Sequence, residues 1–198
     1  MEKIVVLNSG GFDSIVLLHY YYYILGEKNL ISLHFTHGEK NEREQLECAE
    51  KVCDKLNIPS KVIHLPSFDW TKGNFYNEKF IDAKSSYLEY RNLVFLAYGI
   101  SFAQAIEAST VGLAILGGQE SYIDCSPNFL YNVENISMMA NIKIDTPFSC
   151  RSKESLGHIV KYLKIKRDEF FSCDHPINNK PCGECDDCKN IEKIYRNI

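Results

Sequence analysis

The sequence predicts an α/β fold, a doubly wound and mostly parallel sheet, from three observations. Short β-branched runs alternate with helical stretches between Lys3 and Leu65. A glycine-rich turn, Ser9-Gly10-Gly11-Phe12-Asp13-Ser14, joins the first strand-like run to the first helical one. A second glycine pair, Gly117-Gly118, leaves the end of a later β-branched run, which is where open α/β sheets bind ligands.

Taken in order, Lys3 to Leu7 reads as a buried strand and Asp13 to Leu25 as a buried helix, with Gly26 placed to cap it. Leu30 to Thr36 is the second strand. Glu42 to Leu56 carries Leu46, Ala49, Cys53 and Leu56 at helical spacing, so one face is buried. Asn57-Ile58-Pro59 stops that helix, and Lys61 to Leu65 is the third strand. This β-α-β-α-β order predicts parallel pairing with right-handed crossovers. From Pro66 to Tyr90 the periodicity fades; so long a loop in a compact domain is expected to be functional or mobile, here a lid. Leu93 to Ala108 is apolar almost all round and predicts a helix buried between layers. Thr110 to Leu116 is the fourth strand, Pro127 to Ile142 a helix, and Lys143 to Thr146 a short edge strand. Ser152 then caps a helix burying Leu156, Ile159, Val160 and Leu163. Two units are expected, an α/β domain over 1–165 and a cysteine-bearing segment over 166–198 packed on it.

At 198 residues, a net charge of −4 and a pI near 5.9, the chain lacks the basic face needed for stable nucleic-acid binding. A small-molecule substrate is expected instead. No signal-peptide pattern and no membrane-length apolar run is visible, which predicts a cytoplasmic protein without a membrane partner.

The turn after the first strand has the chemistry of an anion site. Glycines let the backbone adopt positive φ and approach a ligand, and the N–H groups at a helix start favour negative charge. A P-loop would need a Gly-Lys-Ser/Thr ending and a dinucleotide turn would need separated glycines; neither pattern is present. Asp13, with Ser14 beside it, can cap the helix or hold a cation such as Mg2+ that accompanies a phosphate. The plain alternative is a Gly-rich turn with a capping Asp.

Of the eight cysteines, Cys48, Cys53, Cys125 and Cys150 are scattered, and Cys48 and Cys53 read as packing residues. Cys173, Cys182, Cys185 and Cys188 follow the spacing C-x8-C-x2-C-x2-C, with Pro181 and Gly183 supplying turns. That pattern suits a tetrahedral zinc ion whose coordination shell is closed, hence structural rather than catalytic. Free or disulfide-bonded cysteines are the alternative.

The S-G-G-F-D-S loop resembles that of the ATP pyrophosphatases. Taken with the four-cysteine spacing, the Arg91-Asn92 pair and the Tyr122, Asp124-Cys125 segment, it makes nearly the whole chain similar to the 7-cyano-7-deazaguanine synthase (QueC) family. The resemblance implies a Rossmann-like fold of the adenine nucleotide alpha hydrolase type, with ATP, Mg2+ and structural Zn2+ as cofactors. It implies that the carboxylate of 7-carboxy-7-deazaguanine attacks the α-phosphorus of ATP, that ammonia displaces AMP to give an amide, and that a second adenylation dehydrates the amide to the nitrile. Carried over by position, ATP is met by Leu7, Asn8, Ser9, Gly10, Gly11, Phe12, Asp13, Ser14, Ile15, Val16 and Leu17. Asp13, Arg91 and Asp124 are the implied catalytic residues, and His37, Arg91, Asn92, Gly117, Tyr122 and Asp124 the implied acceptor pocket. Cys173, Cys182, Cys185 and Cys188 are the implied zinc ligands. Departures from the family pattern fall at His37-Gly38-Glu39, Glu89-Tyr90, Ser126 and Asp174, mostly around the acceptor pocket. They keep open a related ligase that joins a deazaguanine acid to a protein amine, as in phage-defence relatives. A tRNA-modifying pyrophosphatase and a nucleotide-sensing zinc module are further alternatives. The family is often homodimeric, although the sequence itself shows no interface.

Overall fold

A computed structural model gives the placement of residues 2–26, 28–68, 76, 88–117 and 122–197. Strands β1 (Ile4–Leu7), β2 (Leu30–Thr36), β3 (Ser60–His64), β4 (Thr110–Gly112) and β5 (Lys143–Asp145) pair in parallel in the order β3-β2-β1-β4-β5. Successive side chains of a strand point to opposite faces, so β1 feeds two cores: Ile4 and Val6 enter one, Val5 and Leu7 the other. The first core is covered by α1 (Phe12–His19), α2 (Glu42–Leu56), α5 (Lys153–Leu163) and α6 (Asp186–Asn197). The second is covered by α3 (Arg91–Ala105) and α4 (Pro127–Met138). The doubly wound α/β expectation holds. Because β2 and β4 flank β1 on opposite sides, the direction of winding reverses there, and a crevice opens at the C-terminal ends of β1 and β4.

Local differences from the sequence expectation have physical causes. The first helix runs as far as predicted, but its α-helical winding stops at His19 and Tyr20–Ile24 continue as a π-helix. In that wider turn Tyr21 Oη donates to Asp145 Oδ2 at 2.6 Å and Tyr20 meets Phe148 edge-on. Helix α3 is not buried between layers: Leu96, Gly99 and Ala103 face the sheet, whereas Leu93 and Tyr98 are exposed. An all-round apolar run cannot say which side finds a neighbour. The fourth strand ends at Gly112 rather than Leu116, because its partner β5 ends at Asp145 ahead of Pro147. Helix α4 stops at Met138, and Asn141, with φ of 56°, turns the chain into β5. The lid expected over 66–90 lies largely outside the described residues. Among the described residues no helix is long and apolar enough to cross a membrane.

Gly112 shows how tightly β4 and the π-helix fit. A Cβ there would stand 2.8 Å from the Tyr21 ring and hydroxyl. Gly112→Ala is expected to cost about 1–3 kcal/mol through this overpacking, read as a lower melting temperature.

Candidate functional site

The turn between β1 and α1 is built by side chains that fix its backbone. Asn8, fully buried, accepts from Gly10 N (3.0 Å) and Ser14 Oγ (3.2 Å), and donates to Ser32 Oγ on β2. Gly10 has φ of 78°, and a Cβ on it would sit 1.9 Å from the Gln45 carbonyl oxygen, so no other residue fits. Gly11 departs from the expectation of positive φ: it is the N-cap of α1 in extended conformation, and Asp13 lies in the first turn without capping. Three N–H groups of the turn, those of Gly10, Gly11 and Phe12, are held by side chains of the chain itself. Gly11 donates to Ser9 Oγ at 3.2 Å and Phe12 to Ser172 Oγ at 2.8 Å.

Asp13 is the unusual group. Its Oδ1 is buried without a hydrogen-bond partner, and its Oδ2 is 3.6 Å from Lys153 Nζ. Lys153, the first residue of α5, also pairs with Asp187 on α6. Burial raises the Asp13 carboxyl above its ordinary value, and the Lys153 charge opposes this. Asp13 lines a cavity together with Asp174, Asp186 and Asp187, and such a set of carboxylates fits a hard divalent cation.

That cavity, of about 560 Å³, spans the C-terminal ends of β1 and β4 and is lined by Leu7, Asn8, Ser9, Gly11, Phe12, Asp13 and Ser14. Gly10 sits behind them, and Ile15, Val16 and Leu17 are core residues of α1, so their part is to hold the turn. The lining also brings together Glu39, Arg91, Asn92, Gly117, Tyr122, Asp124 and Cys125. Asp124 Oδ2 accepts from Asn92 N (2.9 Å), satisfying a donor at the start of α3, and Asn92 Nδ2 reaches the Asp124 carbonyl and Cys125 Sγ. Tyr90, the residue before α3, is held in left-handed conformation with φ of 56°. The Arg91 guanidinium lies 5.9 Å above the Phe95 ring centroid and 4.0 Å from Glu39 Oε2. His37, expected at the substrate, is not among the lining residues: its ring is buried, with Nδ1 2.7 Å from Tyr76 Oη and Nε2 3.1 Å from Glu39 Oε1.

The four C-terminal cysteines converge, their sulfurs all within 4.8 Å of one another. Cys48 on α2 packs against them, while Cys53 belongs to the main core. A tetrahedral zinc with bonds near 2.3 Å would set its sulfurs about 3.8 Å apart, so the cluster fits one ion with little movement. The hydrogen bond from Cys173 lowers the Cys185 thiol below its ordinary value, whereas burial raises Cys188.

Sequence reasoning missed Lys153, Asp187, Ser172 and Glu39. Lys153 follows the Ser152 cap and reads as the exposed first residue of a helix; only the approach of α5 and α6 to the turn reveals it.

The family model described as queuosine biosynthesis protein QueC matches residues 3–198. A 7-cyano-7-deazaguanine synthase of Leptospira interrogans is 30% identical, covering 98% of this chain and 87% of its own. One from Marinomonas is 31% identical, covering 94% and 90%. Among solved structures, the U34-tRNA thiolase NcsA from Methanococcus maripaludis with its [4Fe-4S] cluster is similar with a TM-score of 0.60 at 14% identity, covering 99% of this chain and 66% of its own. NMN synthetase from Francisella tularensis gives 0.56 at 17%, covering 95% and 71%. At such identities the structural likeness speaks for the fold alone.

Proposed function

The chain belongs to the QueC family, and from that premise we propose that it is an ATP-dependent carbon–nitrogen ligase making 7-cyano-7-deazaguanine from 7-carboxy-7-deazaguanine and ammonia. The observation that carries this reading is that one cavity holds both the β1–α1 turn and the Arg91, Asn92, Asp124 group, so a nucleotide and an acid can meet in it. The substrate carboxylate attacks the α-phosphorus and the bond to pyrophosphate breaks. Ammonia then attacks the acyl carbon, loses a proton and expels AMP. In the second round the amide oxygen is adenylated, and loss of AMP and the remaining amide protons leaves the nitrile.

In this reading Ser9, Gly11 and Ser14 bind the phosphates, the Ser9 hydroxyl giving up its contacts with Gly11 N and Ser14 Oγ as they do so, and Lys153 counters the charge that builds on the departing pyrophosphate. Asp13 and Asp187 would hold Mg2+, which supplies neutralising charge at the phosphates. Arg91 orients the acid through its guanidinium. Residues 166–198 form a metal-binding segment supporting the α/β domain of 1–165. Zinc suits that segment better than an iron–sulfur cube, because four sulfurs within 4.8 Å leave room for a single ion.

Incubation with ATP, Mg2+, 7-carboxy-7-deazaguanine and ammonium is expected to yield AMP, pyrophosphate and the nitrile, followed by mass spectrometry. AMP with an amide but no nitrile would limit the enzyme to ligation. Absence of AMP would overturn the reading.

A further inference from the structure

Two flat, purine-like rings must share one cavity if the functional reading holds, and something has to sort them. Glu39 is placed to do so. It lies just past β2 in a turn pinned by Glu42 Oε2, which accepts from His37 N at 2.7 Å and from Gly38 N at 2.5 Å. The Glu39 side chain is 8% exposed, and what it shows faces the cavity. Its Oε1 is 3.1 Å from His37 Nε2, itself backed by Tyr76; its Oε2 stands 4.0 Å from Arg91 Nη1, beyond hydrogen-bond length. Burial alone would raise the Glu39 carboxyl, but the His37 hydrogen bond and charge, then the Arg91 charge, outweigh it and hold it below its ordinary range. The group is a fixed, charged, acceptor-only fork.

Beside it stands a flat apolar wall. Phe35 and Phe95 stack with centroids 4.7 Å apart and planes within 1°, and both line the cavity. A wall with a two-oxygen acceptor at its edge suits a planar heterocycle with two adjacent donors. In purine numbering the 2-amino-6-oxo ring of a 7-deazaguanine has that edge, N1–H next to the 2-amino group. Adenine has an acceptor, N1, next to its amino group and would set a lone pair against the carboxylate.

We propose that Glu39 reads the N1–H and 2-amino edge of the acid substrate and keeps the adenine of ATP out of the acceptor end, an inference that rests on the functional reading above. Asp124, the other carboxylate there, already accepts from Asn92 N, and turning it to a substrate would uncap α3.

The test compares 7-carboxy-7-deazaguanine with its 2-desamino counterpart by titration calorimetry, with Mg2+ and a non-hydrolysable ATP analogue present. The wild type is expected to prefer the 2-amino compound by about 100-fold, the size of a lost charge-assisted hydrogen bond. E39Q, which turns one acceptor into a donor, should reduce that preference to within about threefold and leave affinity for the ATP analogue unchanged. E39D, retaining the charge on a shorter arm, should keep only part of the preference and serves equally if E39Q does not fold. Full wild-type preference in either variant would overturn the role, as would a wild type that does not discriminate. A wild type that binds neither acid would overturn the functional reading itself, and this inference with it.

Discussion

Asp13→Asn is expected to lower AMP release by about 10³-fold or more while the protein stays folded. Asp13 Oδ1 is buried with no donor, a costly arrangement unless a ligand repays it. The substitution keeps the shape and removes the charge. Its ion pair with Lys153 is 3.6 Å long and partly exposed on both sides, so melting should shift by less than about 4 °C. Pyrophosphate exchange into ATP, measured with the acid present, isolates the adenylation step. An Asp13→Asn variant retaining about a tenth of wild-type exchange would remove Asp13 from the site, since loss of a metal-holding charge costs far more than tenfold.

Cys185→Ser, or treatment with a strong chelator, is expected to lose the metal and to weaken ATP binding by about 10–100-fold, although no cysteine lines the nucleotide end of the cavity. The link is structural. Phe171 N donates to the Gly10 carbonyl, Ser172 Oγ accepts from Phe12 N, and Cys173 follows directly. Asp187, beside Cys188, shares Lys153 with Asp13. Slackening the cysteine cluster therefore slackens the turn. Metal analysis together with ATP titration checks this; metal loss with unchanged ATP affinity would show that the two sites stand apart.

How much of this is legible in the sequence follows from distance along the chain. The glycine turn and the cysteine spacing are local patterns, and a residue type at a fixed offset is enough to signal them. The parallel sheet is legible for the same reason, since each β-α-β step is a short-range rhythm. Glu39 stands out in the sequence only as part of a departure from the family pattern, because its worth lies in Arg91, His37 and Tyr76 closing around it. The place of His37 at the sheet edge points to the substrate, but its ring turns inward to support Glu39. The outer side of α3 carries Leu93 and Tyr98, whose apolarity gives no hint of exposure.

The bond from Phe12 N to Ser172 Oγ closes a separation of 160 residues. Synthesis on the ribosome is vectorial, so the turn emerges among the first residues and must wait for almost the last ones. Until the Ser172 region has left the exit tunnel, an incomplete chain has a strand, a helix and a loose glycine turn, and such a nascent chain should not retain nucleotide. A bond of this span also raises contact order, so refolding from denaturant should regain ATP affinity late, after most helical signal has returned.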